Sequence, residues 1–411
     1  MYGLFGQRNW GNEGSLIAAL VNLKLFSGDL DIEVVCVCSN PDDVTEKYGI
    51  TSFPIKCPPV RHLRTRNSFI NKMVRRVFLR IPSEISHWLK GMKLLLGSNI
   101  MIAPGTGLLN DYASGAFGRP YDILIWSVLA KLCWCKLYFV SVGAGPIKSR
   151  ISGLFIKLSM RMADYRSFRD EHSKNYVCNL GFYSKSDRIF PDLAFSLPDS
   201  MFDIEKKNAN DVKIVGVGLK DYYGEEGMRD EGYGIYSDYL QKMGDFITWL
   251  IENKYTVRLL VGDSLYDEPV RNDLMEVMKN RGIQNIQEAV LFDPVTKVEE
   301  LIDQISTVDI VISPRFHNII YGIMLSKPVI SLSYHRKFVP LMKDLGLSEY
   351  CQDLDHLDIG VLKDQFRRSI KNLELIILNL EKKREQYRQN AEEQYSLIFG
   401  DLHKLEKGIA S

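Results

Sequence analysis

Residues 308–337 read VDIVISPRFHNIIYGIMLSKPVISLSYHRK, and the reading of this stretch decides the fold. Two apolar, β-branched runs, VDIVIS (308–313) and PVISLSY (328–334), flank a segment from Arg315 that suits a buried helix. Strand, helix and strand in this spacing form a βαβ unit, which predicts a parallel sheet. Arg315 and His317 stand where that helix begins to bury itself. Ser313 reads as its N-cap and Pro314 as part of its first turn, which sets Arg315 and His317 beside unpaired backbone N–H groups. A helix N-terminus with a guanidinium beside it is a prepared anion site. The same pair could instead satisfy inter-domain polar contacts, and spacing alone leaves both readings open.

Outward from this unit the alternation continues in both directions. KIVGVGL (213–219) and YTVRLLVG (255–262) read as strands, with helices over 236–253, 269–280, 296–306 and 336–345. In the first half YGLFG, IEVVCVC, NIMIAP, KLYFVSVG and DYRSFR read as strands. Helices are expected between them near 13–26, 68–79, 84–96, 120–134, 150–163 and 171–179. The strands are apolar on both faces, as when helices cover both sides of a sheet. The polar segment 197–213 reads as a linker. The expected fold class is therefore α/β, with two Rossmann-like domains facing a cleft (GT-B-like) and a long C-terminal helix. The first domain is expected over 1–197, the second over 211–360, and a helical extension over 361–411. In that extension Leu373, Ile376, Ile377 and Leu380 recur at i, i+3, i+4 and i+7.

At 411 residues two domains are the default, and 45% hydrophobic with 25% charged residues is globular composition. A net charge of +1 supplies no global field for nucleic acid, so no nucleic-acid partner is expected. The seven cysteines are scattered; the C-x-C pairs Cys36/Cys38 and Cys133/Cys135 lie in apolar runs where alternate residues face opposite ways. They read as small buried hydrophobes in a reducing compartment, and no metal site is expected. The opening MYGLFGQRNW lacks the pattern of a signal peptide, and the apolar region 126–142 is broken by Lys131 and Lys136, so the protein reads as cytoplasmic. Segment 61–93 carries many Arg and Lys with Glu84 as its only acid. It is either a solvated helix face or a peripheral contact with an anionic membrane or a phosphate-bearing acceptor.

Three glycine-rich turns follow strands. In GQRNWGNEG, Gly6 and Gly11 have P-loop spacing, but Asn12 and Glu13 stand where Lys and Ser/Thr are needed, which rejects a P-loop. Gly11 and Gly14 bracket a helix start and suit a tight turn with close backbone approach. PGTGLLND (104–111) offers Gly105, Gly107 and Asp111, and VGAGPIKS (142–149) offers Gly143 and Gly145. Turns at the carboxyl ends of parallel strands are where ligands of such sheets sit.

These pieces, in order, resemble the polysaccharide pyruvyl transferase family. GNEGSLIAAL resembles its G-N-x-G-D-E-A start, with Ser15 in place of Asp; PGTGLLND resembles its G-G-G-x-L-x-D segment; SVGAGPI resembles its G-x-G-x-G-P-I turn. FRDEHSKNYV, FPDLAFSL and the 313–347 stretch resemble its R-D-x-x-S, P-D-x-A-F and R-x-H…Lys segments. The resemblance implies transfer of the enolpyruvyl carbons of phosphoenolpyruvate to a sugar as a cyclic ketal. It assigns donor binding and catalysis to Arg169, Arg315, His317 and Lys337. Catalysis is expected at His317 and Arg315; substrate binding at Arg169, Lys337, Gly11, Asn12, Gly105, Gly107, Asp111, Gly143 and Gly145. His335 and Asp111 are reserve acid/base groups. Partners are phosphoenolpyruvate as donor substrate and a sugar acceptor, lipid-linked in one form, with no cofactor and no metal. Two rival readings stand beside this one. A nucleotide-sugar glycosyltransferase would use an acid such as Glu225, Glu226 or Asp263 on a donor ribose, and a non-catalytic carbohydrate-binding relative is prompted by Ser15.

Overall fold

The computed structural model describes residues 1–28, 31–57, 81–112, 114–202, 212–224, 229–281, 286–334 and 337–406. The expected helix 68–79, residues 61–80 of the basic segment, most of the linker, and Glu225, Glu226 and His335 lie outside the described residues.

The chain divides into two compact units. The first comprises 1–7 and 29–192, and the second 8–28 and 193–411. In the first unit all pairings are parallel. One ladder runs β1 (Tyr2–Gly3), β2 (Val35–Cys38), β3 (Thr51–Pro54). The other runs β4 (Ile100–Pro104), β5 (Lys136–Val142), β6 (Tyr165–Phe168), β7 (Arg188–Ile189). Helix α1 (Trp10–Phe26) groups with the second unit; α2 (Pro41–Tyr48), α3 (Ile81–Leu95), α4 (Arg119–Leu132), α5 (Arg150–Met162) and α6 (Glu171–Asn179) belong to the first. Leu137, Phe139 and Val142 of β5 pack with Trp126 of α4 and Ile156 of α5 in one buried core. Cys36, Cys38, Cys133 and Cys135 are buried with free thiols.

The second unit is a six-stranded parallel sheet. Its strands are β8 (Ile214–Gly218), β9 (Thr256–Leu260), β10 (Val290–Leu291), β11 (Ile310–Ser313), β12 (Val329–Ser333) and β13 (Cys351–Asp353). Their order is β10-β9-β8-β11-β12-β13, the doubly wound arrangement. β11 and β12 are buried throughout, as their unbroken apolar runs require. The order reverses between β8 and β11, and in such sheets the carboxyl ends at that switch point are where ligands bind. Helices α7 (Arg229–Glu252), α8 (Ser264–Asn280), α9 (Ile286–Ala289), α10 (Val298–Ser306), α11 (Phe316–Met324), α12 (Phe338–Asp344), α13 (Ile359–Lys371) and α14 (Leu373–Glu406) complete it.

Two expected boundaries differ from this division. Residues 8–28, read as part of the first domain, group with the second unit, because α1 buries its apolar residues there. Trp10 is fully buried, its Nε1 donates to Ser264 Oγ at 3.1 Å, and Tyr321 Oη donates to Trp10 O at 3.0 Å. The 361–411 extension likewise belongs to the second unit. On α14, Leu373, Ile376 and Leu380 are buried, and Tyr395 stacks on Phe26 of α1 at 5.8 Å. Its apolar stripe has a partner within the same unit.

Candidate functional site

In the second unit the loops at the carboxyl ends of β8, β9, β11 and β12 carry charged side chains toward one another. Arg315 is central, and its position departs from expectation. It is itself the N-cap of α11, in extended conformation (φ −90°, ψ 117°), so Pro314 precedes the helix, and Ser313 Oγ accepts the Arg315 N–H at 3.0 Å. The physical reason is the reach of its side chain. The stem crosses Gly262, where any Cβ would stand 2.8 Å from Arg315 Cγ, and the guanidinium meets Asp267.

Asp267 is fully buried. Its oxygens each accept Arg315 Nε at 3.0 Å, Nη2 also bonds to it, and the Gly262 and Asp263 N–H groups donate at 2.9 Å. Burial pushes the Asp267 carboxyl up to about 6, against the pull of Arg315, so it is ionised at neutral pH. Burial opposes the charge on Arg315, but Asp267 and Asp263 outweigh it and hold the guanidinium's pKa above its ordinary value. The Nε–Nη2 edge of the guanidinium expected to hold an anion is therefore occupied by Asp267. Nη1 makes no bond to the described residues.

Lys220, absent from the expected set, lies two residues beyond β8. Its Nζ is 4.4 Å from the Tyr334 ring centroid and 3.6 Å from Asp221. Burial and the neighbouring Arg315 pull its pKa down to about 8. Lys337, at the N-cap of α12, borders the same ring: its Nζ is 5.6 Å from Tyr334 and 4.9 Å from Phe316. Three cations thus gather at the switch point with three aspartates, Asp221, Asp263 and Asp267. Asp263 is buried, which raises its pKa against the pull of Arg315; Asn9 Nδ2 donates to its Oδ2 at 2.9 Å. As an acid for a donor ribose, Asp263 has one oxygen already engaged.

His317 lies in the first turn of α11, half-buried, with its ring against α1. A Cβ on Gly11 would be 1.9 Å from His317 Nδ1, and one on Gly14 would be 2.1 Å from Tyr321 Oη. This corrects the reading of both glycines. They lie within α1 rather than in a turn, and the close approach they permit is to the side chains of α11. Asn12 donates its N–H to Asn9 Oδ1 at 3.3 Å, and Ser15 Oγ donates to Gly11 O at 3.1 Å. Ser15 is satisfied inside its own helix.

In the first unit the two other glycine turns are zipped together. Gly143 N–H donates to Thr106 O at 2.8 Å, and Gly145 N–H to Leu109 O at 2.8 Å. Arg169 follows β6 and lies over them: a Cβ on Gly143 would be 2.5 Å from its Nη2, and one on Gly107 would be 3.9 Å away. Arg169 Nη1 is 3.6 Å from Asp192. Gly105 has φ +49° and Gly145 φ +86°, conformations that glycine adopts without strain. Asp111 is engaged elsewhere. Its carboxylate accepts the N–H groups of Lys148 and Ser149 at 2.9 Å, and although burial opposes them, these bonds lower its pKa. It fastens one turn to the other and is not a proton donor near neutral pH.

The structure thus assembles Gly11, Arg315, His317 and Lys337 with Lys220 in one unit, and Gly105, Gly107, Asp111, Gly143, Gly145 and Arg169 in the other. Among the described residues no cluster of three or more His, Cys, Asp or Glu could hold a metal ion, and no helix is long and apolar enough to cross a membrane.

Comparison with known proteins follows the same lines. Residues 14–336 match the family model for polysaccharide pyruvyl transferases. No curated protein matches the chain significantly. Among solved structures, HepE of Anabaena in complex with UDP has a TM-score of 0.61 at 11% identity, covering 98% of each chain. The UDP-GlcNAc 2-epimerase of Neisseria meningitidis bound to UDP-GlcNAc gives 0.54 at 11%, covering 98% of this chain and 99% of the other. A glycosyltransferase of Rickettsia africae gives 0.53 at 11%, covering 100% and 97%. At such identities the likeness shows the fold alone. That fold is GT-B-like, with parallel sheets covered by helices and a long C-terminal helix.

Proposed function

Because the chain belongs to the polysaccharide pyruvyl transferase family, we propose that it transfers pyruvate from phosphoenolpyruvate to a sugar of a polysaccharide or its precursor. The product is a cyclic ketal. The observation that carries this reading is the convergence of Lys220, Arg315 and Lys337 at the switch point of the second unit, beside the N-terminus of α11. Phosphoenolpyruvate carries a carboxylate and a phosphate, and its recognition needs several cations in a partly desolvated setting. Arg315, fixed on one edge by Asp267, offers Nη1 in a set direction, while the two lysines border the Tyr334 ring. Pairing with Asp267 keeps the guanidinium oriented before substrate arrives.

In the first unit Arg169 and the glycine turns of Gly105, Gly107, Gly143 and Gly145 bind substrate. The donor's methylene carbon takes a proton, and a sugar hydroxyl attacks the adjacent carbon. Phosphate leaves with the electrons of its C–O bond, and a second hydroxyl closes the ring. His317 is the proton donor, an imidazole held in the first turn of α11 two residues from Arg315. Gly11 and Asn12 serve by seating α1 against that imidazole. The reaction takes place without a cofactor.

Incubation with phosphoenolpyruvate and candidate lipid- or nucleotide-linked sugars should release inorganic phosphate. By mass spectrometry the product should gain one pyruvate less one water. His317→Gln should bind donor almost normally in calorimetry, while turnover falls by about 10²–10⁴. Lost affinity with an unchanged rate at saturation would make His317 a binding group only. Release of a nucleotide from a sugar nucleotide, with no use of phosphoenolpyruvate, would assign the protein to glycosyl transfer.

A further inference from the structure

The first unit carries an exposed apolar surface on α3 and on the turn that precedes β5, at the amino end of that strand, whereas the glycine turns follow the carboxyl ends of β4 and β5. On α3, Ile81, Ile85 and Leu89 recur at i, i+4 and i+8 and are 47%, 46% and 55% exposed. Leu96, just past the helix, continues the stripe at 62%. The opposite face of α3 buries His87, Gly91 and Leu95, with Gly91 closed against Trp126 of α4. The exposed stripe is therefore not the helix's core face.

The turn after α4 extends this surface. Cys133 Sγ reaches Met92 O at 3.6 Å, which fixes that turn beside the end of α3. Leu132 and Trp134 flank Cys133 and are 61% and 95% exposed. Trp134 is the telling residue. It has φ +58°, a left-handed conformation that a bulky side chain adopts only under strain, and it buries almost nothing in return. Packing among the described residues gives no reason for an indole there. Cys133 and Cys135 on either side are buried and hold the turn, so the indole is presented on a fixed base. Lys90 and Lys93 are exposed on α3, and Glu84 is its only acid.

We propose that this surface docks the protein on an anionic lipid bilayer. The features fit a headgroup region: an amphipathic indole at the boundary, aliphatic side chains reaching the acyl layer, and lysines beside them for lipid phosphates. Charge complementarity selects anionic lipid over a second copy of this chain, since self-pairing would set the lysines of one patch near those of the other. Of the membrane contact expected within 61–93, this proposal concerns the described part, on α3, and extends it to residues 132–134. It does not depend on the reaction assigned above.

The test is flotation of the full-length protein with vesicles of phosphatidylcholine alone and of phosphatidylcholine mixed with phosphatidylglycerol. Binding is expected to the anionic vesicles and should weaken as salt rises. Trp134→Asn, which suits the left-handed backbone, should lower the partition coefficient about tenfold while keeping or raising the unfolding temperature. The pair Lys90→Glu and Lys93→Glu should lower it at least as far. Tryptophan emission of the wild type should shift blue on anionic vesicles by more than that of Trp134→Asn. The proposal is overturned if the wild type floats with neither vesicle or if Trp134→Asn binds equally well. A solution dimer that Trp134→Asn dissolves would overturn it too, by giving the surface to a second copy.

Discussion

Lys220 was invisible in the sequence because nothing in GVGLKD distinguishes it from any lysine after a strand; its meaning comes from neighbours that folding supplies. Burial and Arg315 hold its pKa near 8, below the ordinary 10.5, so the fold disfavours its protonated form. The folded protein then binds fewer protons than the unfolded chain between about 8 and 10.5. This group's share of stability consequently rises with pH across that window, and its unfavourable share is fully present below it. Donor binding has the opposite sign. An anion needs Lys220 charged, so kcat/KM for phosphoenolpyruvate should fall as pH rises through about 8. Lys220→Arg should move that descending limb to higher pH, because a guanidinium stays protonated. Lys220→Met should remove it and lower kcat/KM by about 30-fold or more. A limb unchanged in Lys220→Arg belongs to another group. Arg169 and Lys337 were marked only by the resemblance of their segments to the family, while Arg315 and His317 were legible at the helix start that follows a strand. The pairing of Arg315 with Asp267, 48 residues away, was not, since no local pattern marks which carboxylate will be buried beside it.

At the scale of elements, most strands were readable, including the short β1, β2 and β6, but four short ones were not. β5, β8, β9, β11 and β12 lie within the runs read as strands, and α6 spans the residues expected of it. β3, β7, β10 and β13 were missed: each has four residues or fewer, β3, β7 and β13 lack a continuous apolar run, and β10 lies in the brief run AVLF (289–292) directly after a helix. α2, PDDVTEKY, was missed because it buries only Val44. α1 was recognised as a helix but given the wrong neighbour, since an apolar face does not say what it packs against. That neighbour is α11, through Gly11 against His317 and Gly14 against Tyr321. Trp10 anchors the contact. Trp10→Ala should destabilise the second unit by about 3–5 kcal/mol, the usual loss for removing a buried indole. Hydrogen exchange should show faster opening of Ile214–Gly218 and Ile310–Ser313, with Lys136–Val142 in the first unit unchanged. Equal loss of protection in both units would place α1 in neither one specifically.

For the whole molecule, the α/β class and the pair of Rossmann-like units were written in the alternation of strands and helices. What the alternation could not reveal is that the chain passes between units three times, after Gln7, after Gly28 and after Asp192. Neither unit is a continuous piece of sequence. A fragment of residues 193–411 should therefore leave the faces of α11 and α14 that receive α1 uncovered, and should lack the dispersed amide spectrum of a folded domain. Fusing residues 8–28 to it should restore that spectrum; a well-folded 193–411 alone would show α1 to be dispensable. The same feature sets a schedule during synthesis. Trp10 and Tyr321 are bonded yet lie 311 residues apart. At roughly 5–20 residues per second, the first helix leaves the ribosome about 15–60 s before its partner exists. Through that interval its apolar face has only water or a chaperone to meet. α1 is thus made well before the surface that receives it.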